Sequence, residues 1–206
     1  MSSNNINTLK PVSPTALCHV VFLTTKANFQ KMIDFYITAL NATISHQTPS
    51  LCFLTYDQEH HRIALIADDK AQPRNSDSDS DPVSRPPQVG MHHVAFGFPT
   101  LADLADAYEH RRDRGGLRPY WCVNHGPTTS MYYTDPDGNH VEFQVDNFDT
   151  AAEATAYMAG PAFAENPIGV EFDADEFVRR VRSGKENDAA IKARPDIGRF
   201  DTITLG

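Results

Sequence analysis

Residues 123–142 of this 206-residue chain gather side chains able to do chemistry: an imidazole (His125), a phenol (Tyr132) and a carboxylate (Glu142). The segment reads as strand, turn, strand. Residues 131–134, Met-Tyr-Tyr-Thr, are aromatic or β-branched and suit a strand. Asp135-Pro136-Asp137-Gly138 is turn chemistry, with Pro setting φ early and Gly permitting positive φ late. Beyond it, His140, Glu142 and Gln144 alternate with Val141, Phe143 and Val145, so one face is apolar and the other carries imidazole, carboxylate and amide. An ordinary hairpin would turn that polar face to water. With His125 and Tyr132 ahead of Glu142 in the same hairpin, the three could instead converge on one pocket.

His125, Met131-Tyr132, Asp135-Pro136-x-Gly138 and Glu142, at this spacing, resemble the signature of type I extradiol ring-cleaving dioxygenases, members of the vicinal oxygen chelate superfamily. The turn followed by Glu is common across that superfamily. The upstream His and Tyr are what point to the dioxygenases.

The rest of the chain must position these groups. Its length suits one domain, or two small modules sharing a core, and an apolar content of 40% is enough for that core. A formal net charge of −9 and a pI near 5.4 argue against nucleic acid or an anionic membrane as partner. Cys18, Cys52 and Cys122 are odd in number and far apart, which suits neither a metal-type pair nor a disulfide framework, so a reducing, cytoplasmic setting is expected. Residues 1–14 are polar, lack the apolar stretch of a signal peptide and are expected to be a disordered arm.

Residues 17–23 form a near-continuous apolar strand pattern interrupted by His19. Phe29, Met32, Ile33, Tyr36, Ile37 and Leu40 recur at helical spacing, with Thr25 available as a cap. Strands are expected at 42–46, 51–56 and 62–67. Residues 68–90 have linker composition; their alternating Ser and Asp lack the central Gly and terminal Glu of a calcium loop. The pattern then restarts. A strand at 91–98 precedes a helix at 100–114 capped by Thr100 and stopped by Gly115-Gly116, and strands follow near 118–123, 130–134 and 140–145. The fold class expected is α+β: two βαβββ modules, 15–67 and 91–147, within a domain spanning 15–147. The resemblance implies that their sheets curl into an open eight-stranded barrel around a metal.

The repeat aligns His19 with His93. Parity separates His93 from its neighbour: His92 shares a face with Val94, Phe96 and Phe98, whereas His93 shares one with the small Ala95 and Gly97, which leaves room for a ligand. A single strand histidine is more often a hydrogen-bonded core residue. Two at equivalent repeat positions, with Glu142 closing the second repeat, make a metal set. Two imidazoles and a carboxylate on one face of an octahedral ion leave three adjacent sites open, the arrangement of non-haem Fe(II) oxygenases. By resemblance, His19, His93 and Glu142 are the ligands of Fe(II), with Mn(II) possible, and His125 and Tyr132 act beside the bound substrate and oxygen. The implied activity is cleavage of a catechol-type, biphenyl-diol-like ring with O2, by a homodimer or higher homo-oligomer.

The position opposite Glu142 in the first module is Ile63 or Ala64, neither of which binds metal; glyoxalase-type lyases and isomerases use a fourth ligand there. His60 and His61 just precede this strand and read as exposed loop residues. The longer family members carry a further acid–base histidine before the second ligand, and residues 62–91 here have none, leaving His46, His92 or water. The competing functions are a metal-dependent isomerase, epimerase or lyase, and a non-catalytic small-molecule-binding protein of the bleomycin-resistance type.

Residues 148–206 lie beyond the resemblance. A helix is expected at 150–158, chain breaks at Pro161 and Pro167-Ile168-Gly169, a capped amphipathic helix at 172–181, and an extended tail from 183. Apolar residues such as Phe163, Ile168 and Phe177 imply that this extension packs on something: a barrel edge, a dimer interface or the substrate mouth.

Overall fold

The structure, a computed structural model, describes residues 12–72 and 89–195. The expected arm (in residues 1–11), most of the linker (73–88) and the end of the tail (196–206) lie outside the described residues.

Two βαβββ units follow one another. The first is β1 (Val20–Thr24), α1 (Phe29–Leu40), β2 (Thr43–Gln47), β3 (Leu51–Thr55) and β4 (Ile63–Ala67). The second is β5 (His93–Gly97), α2 (Leu101–Gly115), β6 (Trp121–Asn124), β7 (Thr128–Thr134) and β8 (His140–Asp146). Then come α3 (Ala151–Met158), α4 (Pro161–Glu165), β9 (Val170–Glu171), α5 (Ala174–Ser183) and α6 (Asp188–Lys192). The strands form a four-stranded sheet, β1-β4-β3-β2, and a five-stranded sheet, β5-β8-β7-β6-β9. This is a mixed α+β fold with two separate sheets, not a closed barrel, and among the described residues β9 makes nine strands where the repeat alone predicts eight.

Each sheet buries one face. Phe22, Cys52, Leu54, Ile63 and Leu65 pack under α1, whose Met32, Ile33 and Tyr36 are fully enclosed. Val94, Val141, Phe143 and Val145 play the same part under α2. Alternation places the expected His93, Ala95 and Gly97 on the other face of β5. α2 starts as its sequence dictates: Thr100 accepts a hydrogen bond from the Asp103 N–H, and Gly116 closes the helix at φ 63°. Thr25 does not cap α1; Asn28 takes that position.

Polar contacts from α1 join the units. The Tyr36 hydroxyl of α1 donates to Asp135 in the β7–β8 turn at 2.9 Å, and the Asn28 amide donates to Asp137 at 2.7 Å. Asp135 also accepts from the N–H groups of Asp137 and Asn139 and from the Asn139 amide, so the turn that aims β8 is clamped by its own first residue. Arg111 of α2 is 1% exposed; its guanidinium sits 3.6 Å from the centre of the Phe143 ring, and its Nε–H donates to the Ala39 carbonyl at 2.8 Å. Burial lowers its pKa to about 10.

The extension covers a sheet edge. β9 pairs antiparallel with β6, Val123 opposite Glu171 and Asn124 opposite Val170. The helical run breaks just before Pro161, between α3 and α4, and Pro161 stands first in α4, where a missing N–H costs nothing. The tail from 183 is not wholly extended, since Asn187 caps α6. α5 docks on α2 through Asp175, which takes hydrogen bonds from the Tyr108 hydroxyl (2.8 Å) and Arg112 (2.9 Å), with Arg118 at 3.3 Å.

Tyr36→Phe removes a donor from the buried Asp135 and should cost about 2 kcal/mol in urea unfolding, the usual worth of a hydrogen bond to a carboxylate. The same donors hold the Asp175 carboxyl below its ordinary value, led by the Tyr108 hydroxyl and then Arg112. A lowered folded pKa contributes stability above the unfolded value, about 3.9, that is lost as pH falls through the folded one. Fluorescence of Trp121, the single tryptophan, should report α5 loosening in that acid window, and Asp175→Asn should remove the acid-dependent step.

Candidate metal centre and its surroundings

The parallel pairing of β5 with β8 sets His93 beside His140 and Ala95 beside Glu142. The antiparallel pairing of β7 with β8 sets Tyr132 opposite Glu142. Glu142 thus lies in an inner strand, with groups reaching it from both neighbours. Its carboxylate is 5% exposed, and its Oε2 stands 2.9 Å from His93 Nε2. Burial raises the Glu142 pKa, but hydrogen bonds from His93, Ser130 and Tyr132 outweigh it and leave the group below its ordinary value, hence ionised at neutral pH.

The pair has the spacing of two ligands sharing an ion. Donors about 2.1 Å from an octahedral metal and at right angles stand roughly 3 Å apart. The other nitrogen of His93, Nδ1, lies 2.7 Å from Nδ1 of His92, a partner of the kind that orients a ligating imidazole. His92 itself is exposed.

His125 and Tyr132 adjoin this pair. His125 Nε2 is 3.0 Å from the Tyr132 hydroxyl, and its Nδ1 donates to the carbonyl of Ile168 in the extension. Burial lowers the His125 pKa, so the ring is neutral at pH 7. Burial, followed by the charge of Glu142, pushes the Tyr132 phenol well above the ordinary range, so it keeps its proton. That one proton faces two acceptors, the imidazole and the carboxylate.

His19 stands on the first sheet. It is exposed, and its ring lies against His61, centroids 4.5 Å apart. Among the described residues no three His, Cys, Asp or Glu side chains are grouped closely enough to hold a metal ion, so His19 is not gathered with His93 and Glu142. The donor types and the spacing of the pair fit Fe(II). The register also decides the opposite corner. Val21 pairs with Ala64 as Ala95 pairs with Glu142, so Ala64 is the equivalent of Glu142, and a methyl group binds no metal.

Several neighbours escaped the sequence reading. Trp121 pairs with Tyr132 across β6–β7, rings 4.9 Å apart, and its indole N–H donates to Glu171 at 2.8 Å. Counting back through the His125–Pro127 turn would have found it, had the turn length been known. His61 is not an exposed loop residue: it is 9% exposed and stacks on Phe53, centroids 4.4 Å apart. His140 is hydrogen-bonded to the Tyr120 hydroxyl. His46 is exposed on β2, near Phe53. No described helix is long and apolar enough to cross a membrane.

Fold and site define a class. The chain matches the family model for the Glyoxalase/Bleomycin resistance protein/Dioxygenase superfamily over residues 18–143, and it belongs to that superfamily. Within it, the chain is 43% identical over 186 residues to Biphenyl-2,3-diol 1,2-dioxygenase 2 of Rhodococcus globerulus, covering 87% of this chain and 91% of that protein. It is 41% identical over 168 residues to Biphenyl-2,3-diol 1,2-dioxygenase 3 of the same organism, covering 82% and 83%. Metapyrocatechase 2 of Cupriavidus necator is 25% identical over 162 residues, covering 76% of this chain and 44% of that protein.

The turn carrying His125 is held by packing. Gly126 has φ 99°, and a Cβ there would meet the Tyr157 ring of α3 at 2.3 Å. Gly126→Ala should therefore lower the unfolding free energy by about 2 kcal/mol in urea titration, from backbone strain and overpacking together.

Proposed function

We propose that this protein is a non-haem Fe(II) extradiol dioxygenase that opens a catechol-type aromatic ring, biphenyl-diol-like in its substituent, with O2. The reading takes its substrate class from the two Rhodococcus globerulus relatives. The observation that carries it is the His93–Glu142 pair adjoining the His125–Tyr132 pair. In this reading the ligands are His19, His93 and Glu142, with Mn(II) as an alternative ion. His19 is exposed, so no core packing opposes its joining the pair, and the two sheets would face one another across the ion as an open barrel. Bound Fe(II) would pass electron density from the diol to oxygen.

The chain's own residues have separate tasks. Neutral His125 presents Nε2 as an acceptor able to hold or take a hydroxyl proton of the diol. Tyr132 keeps its proton and donates a hydrogen bond to charge developing beside it. Val21, Leu23 and Ile66 lie on the His19 face of the first sheet and remain 48%, 61% and 40% exposed, an apolar wall suited to an aromatic ring. The acid–base step falls in this reading to His46, His92 or water, and His92 is the one of the two histidines in contact with the pair, through His93. The protein acts in the cytoplasm as a homo-oligomer in this reading.

The test is anaerobic loading with Fe(II), then air and a panel of catechols. Stoichiometric metal, oxygen uptake and a yellow ring-fission product are expected. His19→Ala, His93→Ala and Glu142→Gln should each weaken metal binding at least about tenfold. Metal uptake without oxygen consumption would favour an isomerase, epimerase or lyase instead. A chain that takes up no metal would be a small-molecule-binding protein.

A further inference from the structure

The imidazole of His125 is gripped by a piece of chain more than forty residues downstream. A carbonyl oxygen only accepts hydrogen bonds, so the nitrogen facing Ile168 O must carry the ring's proton. Burial keeps the ring neutral, so Nε2 has no proton and turns its lone pair to the Tyr132 hydroxyl at 3.0 Å. We propose that residues 166–169 are a clamp that fixes the Nδ1–H tautomer of His125 and thereby keeps Nε2 as an acceptor at the site.

The clamp cannot easily turn its carbonyl away. Asn166 is 4% exposed and spans the short turn: its Oδ1 accepts the Gly169 N–H at 2.8 Å, and its Nδ2 donates to the Gly169 carbonyl at 3.0 Å. Pro167 restricts φ inside that turn. Gly169 has φ 116°, and a Cβ there would lie 2.3 Å from the Asn124 carbonyl oxygen, so the turn is pressed directly on the strand end that precedes His125. Arg194 donates to the Asn166 and Ala162 carbonyls, and the Asn124 amide donates to the Lys192 carbonyl at 2.9 Å. β9 begins one residue after Gly169 and zips onto β6.

The tautomer follows from these contacts together with the burial that keeps the ring neutral. Its effect on turnover rests on the dioxygenase reading above: with the clamp released, the ring can carry its proton on Nε2, which then repels a hydroxyl donor. Ile168 acts through its main chain, and Asn166 and Gly169 are positioning residues.

The experiment is nitrogen-15 NMR of the full-length, metal-free chain labelled at histidine, with His125→Gln identifying the His125 signals. The wild type should show a protonated Nδ1 and a bare Nε2. Asn166→Ala and Gly169→Ala should shift His125 toward a mixed or inverted tautomer. Asn166→Asp, which keeps the acceptor for the Gly169 N–H, should restore part of the native pattern. In the Fe(II)-loaded enzyme, Asn166→Ala should lower kcat about tenfold while KM changes less than about twofold. Phe177→Leu, which loosens α5 away from the clamp, serves as the destabilised control and should leave the tautomer unchanged.

An Nε2–H tautomer in the wild type overturns the proposal. So does a native tautomer in folded Asn166→Ala and Gly169→Ala, or an equal shift in Phe177→Leu. If the wild type binds iron but opens no diol, the dioxygenase reading fails, and the NMR comparison still decides the clamp.

Discussion

A carboxylate withdrawn from water has to be matched by donors, and most of what surrounds Glu142 follows from that requirement. An unpaired charge at this depth would cost several kcal/mol. The β5-β8-β7 order supplies an imidazole from one neighbouring strand and hydroxyls from the other. A slip of one residue in β8 would send Glu142 into the apolar layer against α2 and bring Val141 or Phe143 to the site. The Asp135 turn guards against that slip, because it fixes where β8 begins and is itself tied to α1 by Tyr36. A contact that joins the two modules therefore also keeps the carboxylate in register.

The extension is part of the site's support. The family model ends at residue 143, yet the carbonyl that holds His125 belongs to residue 168 and the indole beside Tyr132 is tied to Glu171. β9 closes an edge of the sheet and in doing so encloses the hairpin turn that presents His125. Cover for an exposed edge and support for the His125 imidazole are met by one short segment, pressed close because Gly169 has no side chain. The similarity to Biphenyl-2,3-diol 1,2-dioxygenase 2 runs over 87% of the chain and so reaches beyond the superfamily core.

Much of the second sheet was legible in the sequence because strand chemistry is local. Alternation in residues 140–145 put Glu142 opposite Val141 and Phe143, small neighbours singled out His93 over His92, and Thr100 with Gly116 bounded α2. Errors arose where contacts are remote. His61 looked like a loop residue, since nothing beside it in sequence reveals the Phe53 ring that buries it. The choice between Ile63 and Ala64 needed a pairing register that an unknown loop length concealed, and β1–β4 pairing resolves it as Ala64.

By itself the sequence determined the chemical inventory: which side chains can ligate, which can exchange protons, and which face of each strand carries them, because side-chain type and a period of two are written residue by residue. The tertiary structure alone decided which of these groups meet. It joined His93 to Glu142 and His125 to Tyr132, set His19 against His61 on the other sheet, and brought Ile168 to His125. Those encounters depend on loop lengths, register and the path of the extension, which are settled only when the whole chain has packed.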